Sequence, residues 1–211
     1  MELFEIKKLN KSFGDHVVFS EFSMEVKMGE MLCITGPSGC GKSTLLNMLG
    51  MFDTPDSGTI RFMGKSLPSM NSSAGRNLLK NKIFYLFQNY ALIDDQNVAY
   101  NLSIPLLKKN YKPEQKRYLI KKALDNVGLN VPLNTRVYQL SGGEQQRLSL
   151  ARGFLREFEV ILADEPTGSL DAQNRDVVMG HLRSFVDAGK TVIIVTHDPA
   201  VASQADRIIA L

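Results

Sequence analysis

The stretch Gly36–Thr44, GPSGCGKST, constrains what this chain can become more than any other. Gly36 to Ser43 match G-x-x-x-x-G-K-[ST] at every fixed position. The segment Glu30–Thr35 (EMLCIT) leads in as a strand, and Lys42–Leu49 leads out with Leu45, Leu46 and Leu49 at helical spacing. Strand, glycine-rich turn and helix in that order make a phosphate cradle. Glycines let backbone N–H groups close on phosphate oxygens, and the helix N-terminus adds partial positive charge. Gly36, Ser38, Gly39, Cys40, Gly41, Lys42, Ser43 and Thr44 are therefore expected to bind nucleotide. Lys42 reaches the β- and γ-phosphates, and the Ser43 hydroxyl holds Mg²⁺. A chance glycine-rich turn is the competing reading, and the strand–helix context argues against it. Cys40 reads as a small filler that stays accessible to thiol reagents.

Two further strands end in reactive groups. Val160–Pro166 (VILADEP) places Asp164 and Glu165 at the end of a buried apolar run, where a carboxylate is costly unless it meets a cation. Asp164 is suited to Mg²⁺, and Glu165 to accepting a proton from an attacking water. A solvated acidic turn is the plainer alternative, and it loses weight beside a phosphate loop. Thr191–Thr196 repeats the design and delivers His197 to the same edge. His16 and His181 read as structural or merely exposed.

Leu140–Arg147 (LSGGEQQR) raises a different question. Ser141 and Glu144 form the S-x-x-E pattern of a capping box ahead of an apolar helix. That pattern does not require Gly142 and Gly143, which cost backbone entropy at a helix entrance. Close approach by a bulky group would justify them.

Along the chain, the first third is strand-rich: Leu3–Leu9, Val17–Val26 and Gly58–Phe62, with Gly14 and Gly29 at turns. Lys82–Phe87 is another strand. Pro113–Val127 and Ser141–Phe158 read as two helices with no strand between them, hence a helical insertion. Strand and helix then alternate through Val160–Ala163, Asp171–Ala188, Thr191–Thr196 and Arg207–Leu211. This pattern predicts an α/β fold with a parallel sheet covered by helices.

Composition narrows the partners. The net charge of +3 is too small to argue for nucleic acid. Two cysteines, Cys33 and Cys40, give neither a disulfide framework nor a metal pattern, which suits a reducing compartment. The N-terminus lacks an apolar signal segment. No apolar run is long enough to cross a bilayer, so a membrane role requires another chain to span it. Lys108–Lys122 carries seven basic residues against one acid. It reads first as a solvated helix face and second as a contact for anionic lipid or a membrane partner.

Together these segments resemble the nucleotide-binding subunits of ABC transporters over essentially the whole chain. GPSGCGKST looks like Walker A, VILADEP like Walker B with its catalytic glutamate, and LSGGEQQR like the family signature. Ser169–Asp171 (SLD) looks like the D-loop, Gln88 like the Q-loop glutamine, and His197 like the switch histidine. Phe13 sits where the family stacks an aromatic on adenine, with core packing as the alternative. Finer similarity is to the macrolide-efflux, lipoprotein-release and FtsE-type group, with YLFQNYAL suggesting a Gram-positive branch tied to bacteriocin or antimicrobial-peptide export. The segment DDQNVAYN departs from that group's usual LTVxEN, which puts the partner's identity in doubt. Relatives continue past Leu211 with a short hairpin, which points to a truncated C-terminus.

The resemblance implies a P-loop NTPase core over 1–89 and 159–211 with a mainly parallel sheet and an N-terminal antiparallel β subdomain. It implies an inserted helical subdomain over 90–158. It implies ATP and Mg²⁺ as cofactors, with Ser43, Gln88 and Asp164 at the metal, and Glu165, His197, Gln88 and Lys42 in hydrolysis. It further implies a homodimer in which Ser141, Gly142, Gly143 and Asp171 reach the partner's ATP. A separate transmembrane permease would complete an exporter of a peptide, lipoprotein or antimicrobial substrate, at the cytoplasmic face of the membrane. An FtsE-like ATPase that drives a mechanical signal without transport is the alternative.

Overall fold

A computed structural model describes residues 1–107, 109–168 and 170–211. Lys108 and Ser169, which belong to the basic segment and to the SLD motif, lie outside the described residues. Two sheets organise the fold. The first is antiparallel, with order β2-β1-β4-β5, formed by β1 (Glu2–Phe13), β2 (His16–Lys27), β4 (Ser57–Phe62) and β5 (Lys65–Ser66). The second is parallel, with order β6-β7-β8-β3-β9, formed by β3 (Met31–Thr35), β6 (Ile83–Leu86), β7 (Val160–Asp164), β8 (Thr191–Val195) and β9 (Arg207–Ala210).

The central strands read as continuous apolar runs because both of their faces are covered. Alternation along each strand sorts the side chains into two cores. Leu32, Ile34, Ile83, Tyr85, Leu162, Ile193 and Val195 pack with the antiparallel sheet and with α1 (Lys42–Leu49). Met31, Phe84, Leu86, Ile161, Ala163, Val192 and Ile194 pack with the helices on the other face. Those helices include α3 (Val98–Ser103), α4 (Pro113–Asn126), α5 (Gly142–Ala151) and α6 (Ala172–Asp187).

The structure departs from the sequence reading in several places. The helix expected over Ser141–Phe158 ends at Ala151 and gives way to a 3₁₀ turn at Gly153–Leu155. A Cβ on Gly153 would lie 3.0 Å from Phe84 and 3.2 Å from Phe185, so packing against β6 fixes the residue there. Arg156 then turns the chain toward β7 by donating to the carbonyls of Leu79, Lys80 and Ile83. Three short helices, α2 (Ser73–Asn81), α3 and α7 (Pro199–Ala202), were not expected. Each is short, and side-chain caps from Ser72, Asn97 and Asp198 mark their starts.

Asp206 secures the start of β3, the strand that leads into the phosphate loop. One carboxylate oxygen accepts the Met31 N–H at 2.7 Å and the other accepts Arg183 at 2.8 Å. The Met31 hydrogen bond holds the Asp206 carboxyl below its usual range. A depressed carboxyl contributes stability above its unfolded value, and that contribution is lost as pH falls through the folded value. Asp206→Ala is expected to cost about 1 kcal/mol near neutral pH, modest because the ion pair is partly exposed. In urea denaturation the gap from wild type should begin to close below about pH 4.

Candidate functional site

Three parallel strands end side by side, and their register sets the site. The end of β3 runs into Gly36, the end of β7 into Asp164 and Glu165, and the end of β8 into Thr196 and His197. Cross-strand bonds continue past the strands: Thr196 N–H donates to Ile34 C=O at 3.1 Å and Glu165 N–H to Val195 C=O at 3.0 Å.

The phosphate loop needs glycine for steric reasons. Gly41 caps α1 at φ +99, and a Cβ there would lie 2.4 Å from Val18. Gly36 has φ +151, and a Cβ there would lie 2.7 Å from the Cys40 sulfur. Lys42 is almost wholly buried at 8% exposure, yet its Nζ forms no ion pair among the described residues. It donates to the carbonyls of Gly36 at 2.7 Å and Pro37 at 2.8 Å, with Cys40 Sγ at 3.9 Å. Ser38 and Gly39 are exposed around the loop, and Ser43 is exposed on the first turn of α1, with Thr44 half-buried behind it.

The Ser43 hydroxyl donates to Asp164 Oδ1 at 2.9 Å. Two hard oxygens therefore converge beside the loop, a donor set that fits Mg²⁺. Burial pushes the Asp164 carboxyl above its usual range, Ser43 and Lys42 offset this in part, and Glu165 adds to it. A carboxylate so placed gains from a cation. Gln88 lies exposed in the turn two residues past β6, on the strand neighbouring β7.

Glu165 is held under strain. Its φ is +43, unusual for a residue with a side chain. Thr196 Oγ1 donates to Oε2 at 2.9 Å, and His197 Nδ1 lies 2.8 Å from Oε1. An ionised carboxylate only accepts, so in that pair Nδ1 carries the proton. Thr196, fully buried, also accepts the Asp198 N–H at 3.1 Å. Sequence reasoning missed Thr196. The available signal was a hydroxyl residue directly before the histidine at the end of a core strand.

Phe13 ends β1 and is 53% exposed, which removes core packing as its role. Lys11 Nζ lies 4.8 Å from its ring centroid and is itself tied to Asp53 at 2.7 Å and to Thr54 C=O at 2.9 Å. One ring face is thereby supported.

The remaining expected residues form a separate group. Ser141 caps α5: its N–H donates to Glu144 Oε2 at 2.8 Å, and Glu144 N–H reaches Ser141 Oγ at 3.4 Å. Asp171 caps α6 by accepting the Asn174 N–H at 2.8 Å. Gly142 and Gly143 have neighbours within their own chain. A Cβ at Gly142 would sit 3.3 Å from the Tyr90 hydroxyl, and one at Gly143 would sit 3.0 Å from Asn174 Oδ1. No hydrogen bond among the described residues joins Ser141, Gly142, Gly143 or Asp171 to Lys42, Ser43, Asp164 or Glu165. His181 is half-buried on α6 and His16 is exposed on β2, both away from this chemistry.

The sequence profile described as ABC transporter matches residues 19–168. The macrolide export ATP-binding/permease protein MacB of Salmonella choleraesuis (strain SC-B67) is 40% identical over 212 residues, covering 100% of this chain and 33% of that protein. MacB of Campylobacter jejuni subsp. jejuni serotype O:23/36 is 36% identical, covering 98% of this chain and 32% of that protein. The chain thus spans about a third of the length of these relatives. Among solved structures, the dimeric bacterial ABC transporter cassette MJ0796 superposes with a TM-score of 0.90 at 32% identity, covering 99% of this chain and 94% of that one. A dimeric post-hydrolysis state of MJ0796 bound to ADP and Pi superposes with a TM-score of 0.89.

The half-buried Cys40 sulfur packs against Gly36 and Lys42, where phosphate should cover it. Alkylation of Cys40 by N-ethylmaleimide, followed by mass spectrometry, is expected to slow several-fold with saturating Mg-ATP. Equal rates with and without nucleotide would remove Cys40 from the site.

Proposed function

The chain belongs to the ABC transporter family as an ATP-hydrolysing cassette, and from that premise we propose that it works as a head-to-tail pair powering a membrane exporter. The observation that carries this reading is the split of one chain into two unconnected half-sites. Lys42, Ser43, Asp164, Glu165 and His197 stand at one sheet edge, while Ser141 and Asp171 cap two helices elsewhere. Each helix end offers N–H groups and a positive dipole to an anion. In the proposed pair, ATP bound by one phosphate loop meets Ser141, Gly142, Gly143 and Asp171 of the partner. The dimeric relative bound to ADP and Pi supports this arrangement.

Lys42 exchanges its two carbonyls for the β- and γ-phosphates, and Phe13 stacks on the adenine. Ser43, Asp164 and Gln88 would hold Mg²⁺, which supplies charge neutralisation at the phosphates. Glu165 is the general base for water. One lone pair of its Oε1 is engaged by His197, and a turn of the histidine toward the γ-phosphate would raise that oxygen's readiness to accept a proton. Thr196 keeps Oε2 fixed while this happens. One motion then links recognition of the γ-phosphate to release of the base.

We assign the permease to a separate subunit; no helix of the described residues is long and apolar enough to cross a membrane, and the MacB relatives, which are ATP-binding/permease proteins, are about three times as long as this chain. We place its contact at a wide cleft of about 820 Å³ lined by Arg76, Lys80, Phe87, Ile104, Arg152 and Arg156, next to the turn that carries Gln88. The cassette would then sit peripherally on the cytoplasmic face of the membrane. The cargo class we favour is a peptide, lipoprotein or antimicrobial compound, supported by the likeness to macrolide export proteins. Affinity purification from membranes, with identification of the co-purifying integral protein, tests this assignment.

Glu165→Gln is expected to reduce ATP turnover by about a thousand-fold and to trap an ATP-dependent dimer in gel filtration. A variant with wild-type turnover would remove Glu165 from the base role. Thr196→Val keeps the buried shape but removes the donor to Oε2. It is expected to lower kcat about ten-fold with KM for ATP unchanged, measured by phosphate release.

A further inference from the structure

Asn174 makes contacts that the hydrolytic chemistry leaves unexplained. It lies on the first turn of α6, half-buried, between the caps of two helices. Its Nδ2 donates to Asp171 Oδ2 at 2.9 Å, and its own N–H donates to Asp171 Oδ1 at 2.8 Å. Its Oδ1 accepts Arg147 Nη1 of α5 at 2.6 Å. The amide is oriented by chemistry, because a guanidinium only donates and a carboxylate only accepts. Its Oδ1 also lies 3.0 Å from the place a Cβ would take at Gly143, two residues past the Ser141 cap.

These contacts span two elements that are distant in sequence. Asp171 is the N-cap of α6, and Ser141 is the N-cap of α5. A side chain joining them must donate on one side and accept on the other. Aspartate would set a carboxylate against Asp171, and lysine would set a cation against Arg147. The glycine at 143 lets the α5 backbone approach that amide.

We propose that Asn174 is a positioning residue that locks the Ser141 and Asp171 helix ends into one rigid edge, which meets the partner's ATP as a unit. This rests on the composite-site reading given above. Fixing both ends before ATP arrives removes an ordering cost from dimer closure. The effect belongs to closure and turnover and not to nucleotide capture by the chain's own loop.

The test uses the full chain carrying Asn174→Asp or Asn174→Ala. Asn174→Asp is nearly isosteric and keeps the acceptor for Arg147, but it repels Asp171. In a Glu165→Gln background, both changes should raise the ATP concentration for half-maximal dimerisation about ten-fold, the scale of one charge-assisted hydrogen bond. With Glu165 restored, kcat should fall about ten-fold. Binding of a fluorescent ATP analogue to the monomer and the thermal midpoint should stay close to the parent. If Asn174→Asp dimerises and turns over within two-fold of the parent, the coupling role is wrong. Equal loss of monomer nucleotide affinity would overturn it too, by moving the effect to the phosphate loop. A Glu165→Gln parent that stays monomeric with ATP would overturn the composite site, and this role with it.

Discussion

The site is organised around a buried cation that has no ion-pair partner among the described residues. Lys42 places its ammonium against two main-chain carbonyls and a thiol, almost out of solvent. Carbonyl dipoles offset part of the desolvation cost of such a charge, which is several kcal/mol, but they do not neutralise it. A charge so placed gains from a phosphate brought within its reach. The loop's other features serve the same end. The glycines bring the backbone close, α1 aims its N-terminus at the same point, and β3 is anchored at its start by Asp206 and along its length by β8 and β9.

Two adjacent carboxylates share this edge with different surroundings. Asp164 continues the line of β7 and faces Ser43, where burial raises its proton affinity until a cation arrives. Glu165 leaves the strand through a left-handed residue, which turns its side chain away from Asp164 and toward the end of β8. A strained backbone of this kind costs on the order of 1–3 kcal/mol and persists only when its surroundings over-determine it. Here the Val195 carbonyl, Thr196 and His197 do so. Neighbouring acids thus acquire separate surroundings from a single change in φ.

Much of this was legible in the sequence, for identifiable reasons. Strands β3, β7 and β8 were readable because burial on both faces demands unbroken apolar runs. The helix after the phosphate loop was readable to its end because Leu45, Leu46 and Leu49 repeat at helical spacing and Gly50 follows. Short helices held by caps escaped, since α2 spans only nine residues and rests on the core through little more than Leu78 and Leu79. The break after Ala151 escaped because Gly153 is set by Phe84 and Phe185, both remote in sequence. Thr196 and Asn174 were missed for a related cause. A hydroxyl or amide gains its meaning from its partners, and those partners lie 31 and 27 residues away.

The paired glycines show how such remoteness changes an interpretation. From sequence, Gly142 and Gly143 look like space left open for an incoming group. In the fold, Asn174 stands against Gly143 and the Tyr90 hydroxyl stands near Gly142. The glycines therefore admit neighbours of the same chain, which fix the helix end on two sides. Ser141 stays exposed at the tip, bonded to Glu144 in a capping box that also lowers the glutamate's proton affinity. The Ser141 hydroxyl is itself engaged within that box, donating to Glu144 Oε2 at 2.8 Å and accepting the Glu144 N–H at 3.4 Å. The entropy lost at two glycines is thus spent on contacts within the chain.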